Sequence, residues 1–332
     1  MMELIIDGRY LSLHTAWGDL DWSLCWPGYS DEATFDVARQ PSWFKPGLLG
    51  YLVWGGQKMF AGTLEEPTRG SQMRLTGLHR LGEKYAALDG FGSMSLIPDT
   101  AIDAAIVRGL PWSRATSWGA SAVPLGADSP ATLTQVVDAD TAQYPGQDWG
   151  VLPSGIMVRQ ARATPRLHVR PGGDGLGIAW DNYASTLIAR YYDGAADQSA
   201  TRTDSTAEDR WGYKEAVVPK ALNDGATMTL GQAQAILDSM LAKGRAKPGW
   251  TTPIEVAYGA LTDARQCPVD LRSVHPYEQV RVHGITEDIG GLPGQTYVDM
   301  PLARYAPAAD GKTAVLTPEG LVSPLTDVLS GK

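Results

Sequence analysis

The chain has 332 residues, 43% hydrophobic and 20% charged, which is the composition of a folded soluble protein with room for two or three domains. A net charge of −9 supplies no basic footprint for gripping nucleic acid, and two isolated cysteines, Cys25 and Cys267, make neither a disulfide framework nor a zinc site. The 37 glycines and 22 prolines favour many short strands over long helices.

The opening MMELIIDGRY has no basic n-region and no long apolar run, so no signal peptide is expected, and no apolar window is long enough for a membrane span. The same stretch reads as a strand with a turn at Asp7-Gly8. The segment Trp17–Trp43, with Trp22, Trp26 and Trp43 among Pro and Gly, reads as irregular loops and short strands pinned by aromatics. With 11 tryptophans against 4 phenylalanines spread along the chain, the expected role of the indoles is packing, with sugar stacking or subunit contact as the alternative. Tyr51–Leu81 then reads as three strands in a meander. Gly55-Gly56 supplies the positive-φ pair of a two-residue hairpin, and Glu66–Gly70 a second turn. In the third strand Met73, Leu75 and Leu81 face one way and Arg74, Thr76 and Arg80 the other.

Pro98–Leu110 predicts a helix capped by Asp99 or Thr100, with Ile102, Ala105 and Ile106 inward and Gly109 at its end. Residues 111–131 read as loop, and a second helix starts at Thr132 and stops before Pro145-Gly146. Gly155–Val169 is strand-like and carries a basic island, Arg159, Arg162, Arg166, His168 and Arg170, expected as a solvated strand face or else an anion- or subunit-facing surface. Ala184, Leu187, Ile188 and Tyr191 suggest a helix ending near Gly194, and Ala195–Arg210 an exposed mobile loop. Thr229 and Gln232 form a capping box for a helix over 230–243, terminated by Gly244. Strands are expected over Pro253–Leu261 and Glu278–Ile285, and a hairpin around Ala309-Asp310-Gly311.

Enzyme signatures fail one by one. GGDGLG at Gly172–Gly177 breaks the dinucleotide-loop spacing at Ile178, and Gly311-Lys312-Thr313 has Ala306 where a phosphate loop needs glycine. No G-x-S-x-G elbow or H-E-x-x-H helix occurs. His275 and His283, near Asp270 and Glu278, are chemically conceivable metal ligands but read as ordinary surface histidines. Asp19/Asp21, Glu65/Glu66 and Glu287/Asp288 could in principle supply a glycosidase pair, yet adjacent carboxylates usually mark solvated turns. Asp138-Ala139-Asp140 lacks the glycine of a calcium loop. The expectation is no catalytic, cofactor or metal residue.

Six segments carry a family likeness: Val53–Gly70, Asp103–Trp112, Ala179–Tyr192, Trp211–Val218, Thr229–Ala242 and Val269–Ile285. Through them the chain resembles minor tail proteins of siphophages infecting actinobacteria, and within these the baseplate or tail-tip hub family related to the hub of contractile-tailed phages. The resemblance implies a mainly β fold with α+β parts: two tube-type β-barrels and small peripheral mixed α/β domains. The boundaries expected are 1–95 for the first barrel, 96–215 for a peripheral mixed region and 216–332 for the second barrel region, with its helix at 230–243.

It further implies a non-enzymatic virion protein, made in the host cytoplasm and sited at the tail tip. There it caps the tail tube as a homotrimer and lets DNA pass. Its partners would be a distal tail or tail tube protein, a tape measure protein and other minor tail or receptor-binding proteins, with no sequence-specific nucleic acid. The alternative in the same class is a distal tail protein acting as a hexameric adaptor. A carbohydrate-acting tail enzyme or a glycan-binding adhesin are the readings from other classes.

Overall fold

The computed structural model describes residues 2–65, 71–125, 130–170, 178–179, 183–219, 221–223, 226–242, 249–250, 253–285, 294 and 296–319. The fold is mainly β. The strands of the first part are β1 (Met2–Ile6), β2 (Arg9–Tyr10), β3 (Trp17–Cys25), β4 (Gly28–Val37), β5 (Leu49–Trp54), β6 (Gln57–Leu64) and β7 (Gln72–Gly77). Next come α1 (Pro98–Val107), β8 (Ser113–Arg114), α2 (Leu133–Thr141), β9 (Gln147–Val151), β10 (Ile156–Ala161), β11 (Leu167–Val169) and β12 (Ile178–Ala179). A third stretch holds β13 (Thr186–Tyr192), β14 (Asp197–Thr203), α3 (Ser205–Trp211), β15 (Glu215–Val217) and α4 (Leu230–Met240). The chain closes with β16 (Gly249–Trp250), β17 (Ile254–Ala257), β18 (Leu261–Asp263), β19 (Gln279–His283), β20 (Tyr297–Pro307) and β21 (Thr313–Pro318).

Turn chemistry places the first strands as the sequence reads. Asp7 and Gly8 have φ of 51° and 73°, and Gly55 and Gly56 have 56° and 81°, the positive pair that a tight hairpin turn requires. The meander β5, β6, β7 is antiparallel throughout. Met73 and Leu75 are buried and Arg74 is exposed, but the strand stops at Gly77, so Leu81 is buried from a 3-10 turn instead. The turn expected at Glu66–Gly70, the loop Gly172–Gly177, the Glu287/Asp288 pair and Gly244 lie outside the described residues.

Three expectations are corrected. Within Trp17–Trp43, Trp17–Val37 is not irregular: β3 and β4 form a long antiparallel hairpin, and two register shifts absorb the residues that break its alternation. In place of the helix expected to end near Gly194, Thr186–Tyr192 is a strand, β13, because its β-branched and tyrosine side chains gain partners on both edges, antiparallel β14 and parallel β15. Ala195–Arg210 is therefore not a loop. It forms β14 and α3, the latter capped by Asp204 accepting from the Ala207 N–H.

Two helices start where expected. Thr132 with Gln135 and Thr229 with Gln232 form capping boxes. For α1 the N-cap is Ile97 with no side-chain cap, and Asp99 sits inside the first turn.

A 16-stranded sheet runs β18, β11, β19, β20, β3, β4, β7, β6, β5, β1, β2, with β21 and β17 continuing from β20 and β9, β10 and β8 continuing from β4. Among the described residues no closed barrel is seen. Three buried clusters lie along the chain. One joins Leu4–Leu75 strands to Leu167, Val280, Val282, Leu302, Tyr305 and Leu316, a second gathers Leu78, Ile102, Trp112, Val136 and Trp149, and a third holds Tyr183, Leu187, Ala200 and Leu237. The helix α4 packs in the third, on β13 and β14. Trp22, Trp26, Trp112, Trp118 and Trp149 are buried, so these five indoles serve packing, as expected.

Candidate functional site

The first set of strands and the last set meet along one seam, and strand pairing starts it. The long β20 pairs with β19 through Tyr297–Pro301 and with β21 through Leu302–Pro307. It also pairs with β3 at Arg304 with Cys25 and Tyr305 with Leu24, so hydrogen bonds cross from one set to the other. Tyr305 is fully buried and donates its hydroxyl to the Leu271 carbonyl.

Beside this pairing sits Arg162, on the segment between β10 and β11. Its guanidinium donates to the carbonyls of Pro276 at 3.0 Å, Leu302, and Trp26 at 3.3 Å, and to Glu319 Oε2 at 3.0 Å. One side chain thus ties three separate backbone segments. Burial pushes the guanidinium pKa below its ordinary value, opposed by the attraction of Glu319 and Asp148.

Aromatics and a buried carboxylate complete the seam. The Tyr29 hydroxyl lies 2.6 Å from His275 Nδ1, and the His275 ring stacks on Tyr277 at 5.1 Å and 6°. Trp26 meets Tyr277 edge-on at 5.7 Å. Glu278 is buried, paired with Arg166 and accepting the His275 backbone N–H at 3.2 Å. Burial raises the Tyr29 phenol and lowers the His275 imidazole, so both are neutral at physiological pH. Also on β4, Asp31 receives Arg80 at 2.8 Å, Arg304 at 3.2 Å and the Ser23 hydroxyl at 3.0 Å.

The geometry divides the basic island. Arg159 pairs with buried Asp140 and Arg162 is held in the seam, so these two leave the solvated face, whereas Arg166, paired with Glu278, and Arg170 are exposed, and His168 stacks on His283 at 5.1 Å. The histidine reading is changed as well. The structure sets His275 against Tyr29 and His283 against His168, two different environments, while Asp270 caps a short turn and pairs with Arg272. Asp19 and Asp21 are both exposed, with a register shift of β3 between Gly18 and Asp21. Glu65 accepts from Thr76, and Asp138 accepts from the Trp149 indole at 2.6 Å. Gly311 and Lys312 belong to the β20–β21 hairpin turn. Sequence reading missed Arg162 as a clasp, since its acceptors stand more than a hundred positions away and no local pattern announces them.

The fold is shared with phage tail proteins. It matches the prophage MuSo2 43 kDa tail protein from Shewanella oneidensis with a TM-score of 0.57 and 13% identity, covering 96% of this chain and 97% of that one. It matches the tail protein from Neisseria meningitidis MC58 with a TM-score of 0.58 and 14% identity, covering 95% and 94%. In sequence the chain matches no protein-family model and no curated protein. Among the described residues no helix is long and apolar enough to cross a membrane.

Proposed function

We propose that this chain is a structural component of a phage tail, and within the tail the tip hub. The observation that carries the reading is the seam: one polypeptide fuses two sets of strands through β20 and the Arg162 clasp into a continuous apolar core. The full-length likeness to tail proteins supports the coarser part of the reading. A large, apolar contact of this kind holds two units in a fixed relation. A protein that joins a six-fold tube to a three-fold tip needs that, because three protomers must then offer six equivalent β units.

In this reading the two β units are tube-type barrels within residues 1–95 and 216–332, with 96–215 largely peripheral, and the trimer sits at the tail tip. Its neighbours are a distal tail or tail tube protein, the tape measure protein and other minor tail or receptor-binding proteins, and the role is assembly and DNA passage, without catalysis or cofactor.

The test is the mass of the purified protein by light scattering over a concentration series, alone and with the tube protein. A trimer is expected in at least one condition. A hexamer in both would replace the hub by the distal tail adaptor. Clearance of purified cell wall by the protein would overturn the non-enzymatic reading.

A further inference from the structure

On the face of the last strands away from the core lies a cavity of about 560 Å³, bounded by β11, β18 with the turns before and after it, and the end of β19. His168 and His283 line it, with His168 Nδ1 2.8 Å from His283 Nε2 and their rings stacked 19° from parallel. Arg170, also in the lining, is exposed and enters none of the ion pairs found among the described residues. We propose that this cavity binds an oxyanion, a phosphate or carboxylate group, with His168, His283 and Arg170 as its recognition set.

The chemistry follows from the histidine pair. Two imidazole nitrogens this close share one proton, because two N–H groups pointing at each other repel. The neutral pair holds two protons, one between the rings and one on an outer nitrogen. An anion offers an acceptor to the outer nitrogen of each ring, so one further proton can be taken up on the bare outer nitrogen and both rings can donate. Arg170 adds a charge that enters no ion pair among the described residues.

The neighbouring groups agree with this. Beside His168, Arg281 is already held by Asp299 at 2.7 Å and lies over Tyr297. From β18, Thr262 pairs with His168 in the ladder, and Asp263, also in the lining, accepts the N–H groups of Arg265 and Cys267 on Oδ1, at 2.8 and 2.9 Å. Burial, then His168, Arg170 and Arg281, hold His283 below its ordinary range, with Asp299 opposing. An anion held against Arg170 and the two rings would offset the positive neighbours of His283 and raise its proton affinity.

The experiment is a titration of the whole protein with inorganic phosphate and, separately, succinate, by calorimetry and by the imidazole proton resonances, between about pH 5.5 and 7.5. Binding should strengthen toward the acid end with net proton uptake, read from the buffer dependence of the heat. Arg170→Gln, at an exposed position, should weaken it about tenfold, and His283→Gln should remove its pH dependence. Tighter phosphate binding would assign the site to a phosphate ester, and tighter succinate binding to an acidic side chain. No saturable binding of either, or undiminished binding by Arg170→Gln, would overturn the proposal.

Discussion

Replacing Arg162 by methionine tests the seam directly. Methionine keeps part of the aliphatic stem but removes donors to the Trp26, Pro276 and Leu302 carbonyls and to Glu319. An acceptor left unpaired in a buried place costs about 1–3 kcal/mol. The losses are not additive, and removing a desolvated guanidinium returns part of its burial penalty. The net expectation is about 3–5 kcal/mol, the range for breaking a buried pair from one side. Arg162→Lys should recover little, since an ammonium cannot span several carbonyls as a planar fork does. Urea unfolding would give the loss, and amide exchange would show it concentrated where β20 meets β3. A loss below about 1 kcal/mol, or protection unchanged along β20, would refute the idea that this side chain locks the two sets of strands.

Gly77→Ala should prevent folding or cost more than about 3 kcal/mol, because its Cβ would stand 1.7 Å from the Ser30 carbonyl oxygen, which is backbone and cannot move aside. Gly8→Ala, with φ of +73° but open space around it, should cost about 1 kcal/mol, and melting curves separate the two. Burial holds the His79 imidazole down to about 4 against an ordinary 6.5, so between these values the unfolded chain binds more protons and stability must fall as pH falls. The contribution is at most about 3 kcal/mol, and His79→Gln should flatten the dependence of the urea midpoint on pH across that window. An unchanged slope would show that His79 does not titrate in this way. The Cys25 thiol is pushed up to about 12, chiefly by burial, whereas Cys267 is exposed. A thiol reagent at neutral pH should therefore modify Cys267 in the native protein and Cys25 as well after denaturation. Rapid native modification of Cys25 would contradict its placement.

What the sequence determined is local. The Gly55-Gly56 hairpin, the capping boxes at Thr132 and Thr229, and the turn closed by Gly311 were all legible. Each depends on residues within a few positions, through a positive φ or a side chain that reaches its own backbone. The alternation of Val280 and Val282 likewise marks a strand with one buried face.

Tertiary structure decided the rest. The apolar spacing of Leu187, Ile188 and Tyr191 suits a helix by period, and the pairing of β13 with β14 and β15 made it a strand. The hairpin of β3 and β4 was hidden because register shifts interrupt its period-two pattern. Charge reading failed at Arg159 and Arg162 for a related reason. They look solvated, as Arg166 and Arg170 are, until Asp140 and Glu319 are brought against them. Local interactions are fixed by backbone geometry and so can be read from a few residues. A buried charge can be recognised once its partner is known, and the fold alone supplies the partner.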